Sequence, residues 1–278
     1  KPTDYYYACL DGSWDVDEDG LYGEAPQDCT YGVDEVDWLP EVIVGRWPVD
    51  YPEQVDALSK ALFNYSLMRK PKTALFCGAV WGYTWDWGNS TDGAYIKYII
   101  DHLDDFSDWD KRRRYETTGH YDREEGWQVD QPANLTEEDV IWELSTFNFT
   151  FVNCASHGSP DALWRYTPEA YYPYLREQDA ELVTNDYLPV YFAAACSTGA
   201  YDEDEVGEGY PCIAEYFVTE RKALGFVGCS RVAYGYAGND YNWRGLAGGM
   251  DVLYAMGLVN TSRPGDALMW MKVHYVLG

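Results

Sequence analysis

The sequence predicts an α/β fold, a mostly parallel sheet flanked by helices on both faces. Three observations carry this. Apolar runs bounded by turn residues recur at 72–81, 147–155, 188–195 and 223–228, the length and composition of buried strands. The stretches between them carry a helical apolar period or a helix cap. The separations between runs suit crossover connections rather than hairpins. Right-handed crossovers make such strands parallel and gather their C-terminal ends on one edge.

Taken in order, "EVIVGRWP" (41–48) reads as a short strand ended by Pro48. Residues 52–69 place Val55, Leu58, Leu62, Tyr65 and Met68 at a helical period. "KTALFCGAVW" (72–81) is a buried strand, and "TDGAYIKYIIDHL" (91–103) a helix with Thr91 or Asp92 as its cap. Residues 104–133 are charged, contain "KRRR" and lack a period; they are expected to form a surface insertion. In "LTEEDVIWELS" (135–145) Thr136 precedes Asp139 by three, close to a capping box, so a helix follows. The strand 147–155 comes next, then a loop with a helix, then the strand 188–195. A helix at 211–220, a strand at 223–230 and two helices near 243–256 and 264–277 complete the chain. With neither a repeat nor a linker, residues 1–278 read as a single domain.

The balance of 20 basic against 47 acidic residues, net −27, argues against a nucleic-acid backbone or an anionic membrane as partner. No apolar run reaches the ~20 residues that span a bilayer, so no membrane insertion is expected. Five N-x-S/T sequons, at Asn64, Asn89, Asn134, Asn148 and Asn260, point to glycosylation and hence an extracellular or cell-surface location. Asn148 is the weakest, because it opens a strand-like run. Seven cysteines suit that compartment, and the odd number leaves at least one thiol unpaired. Cys9 and Cys29 flank an acidic loop and form the first expected bridge; Cys212 and Cys229 form the second. Cys77 and Cys154 lie in strand-like runs, as buried thiols or a further bridge.

Two strand ends carry chemistry. "FTFVNCASHGSP" (149–160) stops at His157-Gly158, and "LPVYFAAACSTGAYD" (188–202) runs into Cys196. Both lie on the edge where open α/β sheets bind ligands. On neighbouring strands, their side chains fall about one interstrand spacing apart, in range of a thiol–imidazole pair. A thiolate is a strong nucleophile, and imidazole sets its protonation and then protonates a leaving amine. Backbone N–H groups of Gly158 and Cys196 are the candidate oxyanion donors, glycine allowing close approach to substrate.

"SHGSPDALW", "FAAACSTGAYD" and "ALGFVGCSR", in this order and spacing, resemble the gingipain family of cysteine peptidases. So do "PTDYYYACLDGSWDVDEDGLYGE" and "LPEVIVGRWPVD" ahead of them. The resemblance covers nearly the whole chain except 104–133. It implies a caspase-like fold, peptide or protein substrates, His157 as general acid/base, Cys196 as nucleophile, and Gly158 and Cys196 as the oxyanion hole. It also implies that 228–240 walls the pocket for the residue before the scissile bond, with Tyr234 and Tyr236 as the candidate lining. Relative to the family pattern a first strand and helix are missing, so another fragment of the same precursor, or a surface assembly, is an expected partner. The residue that orients His157 is left open.

"DVDEDGLYGE" (15–24) sets Asp15, Asp17 and Asp19 at alternate positions before Gly20, the front half of an EF-hand-like loop. With the backbone of Leu21, and with Glu24 standing in for the closing glutamate that Pro26 displaces, they form a candidate calcium site. Calcium is the expected cofactor, in a structural role. The function expected is a secreted cysteine endopeptidase. The alternative is a non-catalytic surface or assembly glycoprotein that keeps the peptidase fold; its abundant Tyr and Trp favour that reading, and the His157–Cys196 pair opposes it.

Overall fold

The computed structural model describes residues 4–20, 22–23, 34–82, 91–116, 135–166, 170–202, 211–236, 238 and 241–278. A single helical turn, α1 (Tyr5–Ala8), precedes α2 (Pro52–Leu67), β1 (Thr73–Gly78), β2 (Val80–Gly82), β3 (Thr91–Asp92) and α3 (Gly93–Asp101). Next come β4 (Asp110–Tyr115), α4 (Glu137–Thr146), β5 (Phe151–Ala155), β6 (His157–Gly158), β7 (Ala162–Tyr166) and β8 (Tyr171–Arg176). The chain continues through β9 (Val190–Ala194), α5 (Ile213–Thr219), β10 (Gly225–Val227), α6 (Leu246–Thr261) and α7 (Pro264–Leu277).

Five strands form one sheet in the order β10-β9-β5-β1-β4, and every pairing in it is parallel. The fold class expected from the sequence is the one observed. The chain order reverses at β1, with β4 on one side and β5 on the other. Alternation along each strand sends side chains to two separate cores. Leu75, Cys77, Val152, Cys154, Tyr191 and Ala193 face one, where they meet Leu58 of α2, Leu144 of α4 and Phe217 of α5. Ala74, Phe76, Phe151, Phe192 and Ala194 face the other, against Ile96 of α3, Tyr254 of α6 and Met271 of α7. Each buried Leu or Phe contributes about 1.5–3 kcal/mol relative to exposure.

The helix starts follow local chemistry. Asp92 accepts the Ala94 N–H at 2.8 Å, capping α3. Thr136 Oγ1 accepts the Asp139 N–H at 3.2 Å, capping α4. Pro52 and Pro264 open α2 and α7 at the position where a missing N–H costs nothing.

Four expectations need correction. Residues 41–48 form no strand; Val42 and Ile43 are exposed, and Val44–Trp47 line a cavity of about 350 Å³ beside β10 instead of pairing with it. The region 104–133 is not wholly an insertion, since "KRRR" is edge strand β4; 117–134 lie outside the described residues. Its side chains split by the strand period. Arg112 and Arg114 reach back to Glu143 on α4, while Lys111 and Arg113 bond Asp101 at the end of α3. Among the described residues, the stretch after Gly158 holds no helix ahead of β9 beyond one short 3₁₀ turn; β6, β7 and β8 make an antiparallel three-stranded sheet there. Cys212 and Cys229 carry free thiols rather than a bridge, as do Cys77 and Cys154, register partners on β1 and β5. Burial pushes the Cys212 and Cys229 thiols up to about 11. Cys29 lies outside the described residues, as do Asn89 and Asn134.

One buried polar network joins three elements across the second core. Lys97 on α3 donates to Asn153 on β5 and to Asp251 on α6, and Asn153 Nδ2 donates to Asp251 Oδ1 at 2.5 Å. Lys97, Asn153 and Asp251 have no exposed surface. Burial lowers the Lys97 ammonium and raises the Asp251 carboxyl from their ordinary values, and the mutual charge opposes both shifts.

Candidate active site

β5 and β9 are neighbours in register, Cys154 opposite Ala193 and Ala155 opposite Ala194. The chain leaves both strands at the same edge, so His157 and Cys196 emerge side by side. Both line one cavity of about 250 Å³, together with Trp81, Ser156, Tyr234 and Tyr236. The four candidate side chains that sequence placed around the reacting centre therefore share one wall.

Gly158 is where glycine is sterically required. A Cβ there would lie 2.5 Å from the Cys196 carbonyl oxygen and 3.0 Å from the Cys196 nitrogen, inside contact distance. The two backbones intended as oxyanion donors are thus packed against each other.

His157 is half-buried. Two rings stand edge-on to it, Tyr171 at 5.2 Å and Tyr166 at 5.9 Å between centroids. Its Nε2 has no hydrogen-bond partner. Burial holds the imidazole below its ordinary value, and the backbone of Trp81 opposes that shift only in part. Ser156 Oγ, which accepts the Tyr174 hydroxyl at 2.8 Å, donates to the His157 carbonyl at 2.9 Å and fixes the main chain beneath the ring.

Cys196 sits at the start of a turn whose next residue, Ser197, has φ +52°. That is an uncommon conformation for a residue with a Cβ. The turn is pinned to the segment after β10: Ser197 N–H donates to the Arg231 carbonyl at 3.0 Å, and Gly199 N–H to Cys229 at 2.9 Å. Arg231 forks onto Asp202 at 2.9 and 3.0 Å and holds that carboxyl below its usual range. Cys196 Sγ accepts the Ala233 N–H at 3.3 Å and lies 3.7 Å from the Ala233 carbonyl oxygen.

His157 also borders a second concavity, lined with it by Gly158, Trp164 and Tyr171. Sequence reasoning missed Trp164 and Tyr171, because their hairpin was not recognised. Ala233 and Ala247, also in the first cavity's wall, carry no signal that a single sequence could show.

Asp15, Asp17 and Asp19 bring carboxylate oxygens within 4.8 Å of one another. Asp34, from across the loop, accepts the N–H groups of Val16 at 2.8 Å and Gly23 at 2.7 Å and holds the segment in a tight coil. Three hard oxygen donors so spaced fit a calcium shell. Leu21 and Glu24 lie outside the described residues. Among the sequon asparagines, Asn64, Asn148 and Asn260 are exposed; Asn148 starts outside the strand, so the doubt about its burial is removed. No described helix is long and apolar enough to cross a membrane.

The model of peptidase family C25 matches residues 1–277. No curated protein sequence matches the chain. Two solved structures share its fold. One is the crystal structure of the Arg-specific cysteine proteinase gingipain R, at 14% identity and a TM-score of 0.57, over 88% of this chain and 52% of that one. The other is a structure of a protease, at 17% identity and a TM-score of 0.53, over 97% of this chain and 56% of that one. The chain spans about half the length of each.

Proposed function

We propose, from the premise that the chain belongs to peptidase family C25, that it is a secreted, calcium-stabilised cysteine endopeptidase acting on protein or peptide substrates. The observation that carries this is the single cavity lined by both His157 and Cys196. In the first half-reaction Cys196 sulfur attacks the peptide carbonyl carbon, with its proton passing to His157 Nε2. The tetrahedral oxyanion is met by the N–H groups of Gly158 and Cys196. The C–N bond then breaks, and His157 returns the proton to the leaving amine, giving an acyl-enzyme. In the second half, water adds to the acyl carbon as His157 takes its proton, and the C–S bond breaks as His157 returns that proton to the sulfur, releasing the acid and the thiol.

The neutral imidazole that burial favours suits the first step, and its Nε2, which has no partner, is the nitrogen available to move the proton. The exposed sequons at Asn64, Asn148 and Asn260 support secretion. The arginine preference of gingipain R is a property of that protein and is not carried over. The test is hydrolysis of a mixed peptide library by the wild type and by Cys196→Ala, with a thiol-directed alkylating reagent as a third arm. Activity is expected in the wild type alone. Hydrolysis that persists in Cys196→Ala removes the assignment.

A further inference from the structure

The peptidase reading assigns the reacting atoms but not the groups that hold the departing half of the substrate. We infer that Trp164 and Tyr171 of the β7–β8 hairpin form a subsite for the residue on the C-terminal side of the scissile bond, and that this subsite favours an aromatic side chain over an aliphatic one. The inference rests on the peptidase reading and adds a binding site to it.

Strand alternation builds the platform. Leu163 and Leu175 are register partners with no exposed surface, so the half-buried Trp164 next to Leu163 turns to the opposite face of the small sheet. Trp164 stands opposite His157 across β6 and β7, and Tyr166 opposite Tyr171 across β7 and β8. Alternate residues on a strand share a face, so the imidazole, the indole and both phenol rings lie on one side of the hairpin. The ring contacts agree: Tyr171 and Tyr166 stand edge-on to His157, and their own centroids are 4.8 Å apart. The indole is held in place, its Nε1–H donating to Ser159 Oγ at 2.7 Å and Ser159 donating in turn to Asp161. Tyr171 is 54% exposed, and with Trp164 it lines a concavity of about 390 Å³. Rings held partly clear of the core on a braced hairpin offer area on which another ring can stack.

The chemistry of the first half-reaction says which part of the substrate lies there. The acyl half stays on the Cys196 sulfur, while the amine half departs with a proton from His157. His157 lines both concavities; Cys196 lines the first and not the second. The departing nitrogen lies against His157, and the chain that runs on from it meets the surface bordered by His157 and Gly158 without the sulfur. The rings then set the class. An aromatic side chain gains offset or edge-to-face contacts on Trp164 and Tyr171 beyond the area it buries, and a leucine of similar bulk does not.

The experiment is acyl transfer to added amines, catalysed by the full chain. A library peptide that the wild type cleaves is incubated in turn with equal concentrations of the amides of phenylalanine, tyrosine, leucine and alanine. Each competes with water for the acyl-enzyme from the place of the departing amine. The ratio of aminolysis to hydrolysis product, read by mass spectrometry, is taken within one acyl-enzyme pool and is independent of the folded fraction and of the acylation rate. The two aromatic amides are expected to exceed the alanine amide by about tenfold and the leucine amide by about threefold. Trp164→Ala should abolish the preference for phenylalanine over leucine, Tyr171→Leu should lower it, and Trp164→Phe, which keeps a ring, should preserve most of it. Hydrolysis with a leucine amide that equals or exceeds the aromatic ones, with no aminolysis by any amine, or with a preference unchanged in both Trp164→Ala and Tyr171→Leu overturns the inference and leaves the peptidase reading intact. No cleavage of any library member by the wild type overturns both.

Discussion

At the scale of single residues, the site depends on a histidine whose protonation the fold restrains. Burial lowers the His157 value and the backbone of Trp81 opposes it only in part. The reaction needs the neutral ring, so kcat/KM should be level from neutral pH down through ~6.5, where a free imidazole would already be half-protonated, and fall only at lower pH. The same shift has a stability consequence. Below ~6.5 the unfolded chain takes up a proton at this position that the folded chain resists, so stability falls as pH drops through that value. His157→Gln should remove this contribution and flatten the stability curve below about pH 6.5, while abolishing turnover. Urea midpoints of wild type and variant across that range are the measurement; parallel curves would show that the ring is not held neutral. His157, Gly158 and Cys196 were legible in the sequence because a polar residue or glycine terminating an apolar run is conspicuous. The Ala233 N–H on the Cys196 sulfur was not, since every residue owns such a group and only tertiary placement selects one of them.

At the scale of elements, the runs with a clean period were read correctly, and the errors share a cause. β4 holds a cationic stretch in an edge position, where charge guards against unwanted pairing. Its Arg112 and Arg114 depend on Glu143, 29 residues and more along the chain, so no local pattern announces a strand. Residues 41–48 show the converse: a good strand pattern with no ladder partner stays irregular. The Lys97–Asn153–Asp251 network ties α3, β5 and α6 together beneath the site, and it too is invisible locally. Its worth can be tested directly. Asp251→Asn leaves the Lys97 ammonium buried without a counter-charge, so it should lower unfolding free energy by about 3–5 kcal/mol. The double replacement Lys97→Met with Asp251→Leu removes both charges and should cost markedly less, because no buried charge is left unpaired. Chemical denaturation of the two variants decides it. Equal losses would mean that the ion pair matters only through its shape.

At the scale of the whole molecule, a net charge of −27 repels itself and weakens the compact state. Monovalent salt relieves that repulsion by screening, since the Debye length falls to about 8 Å near 0.15 M. A calcium ion held among Asp15, Asp17 and Asp19 would relieve it differently, by binding the folded loop that Asp34 braces. The two effects separate experimentally. At a fixed ionic strength of about 0.15 M, calcium at about 100 times its Kd should add about 2.7 kcal/mol of stability, visible as a rise in Tm of several degrees. A chelator should reverse it, and magnesium, which demands a tighter octahedral shell, should do less. Asp17→Asn with Asp19→Asn should erase the calcium response while leaving the response to sodium chloride in place. Asp15, Asp17 and Asp19 do not line the His157–Cys196 cavity, so turnover per folded molecule should stay unchanged at temperatures well below the apo Tm. A Tm indifferent to calcium at constant ionic strength would reduce the acidic loop to a solvated turn, with its three carboxylates contributing only to the general repulsion.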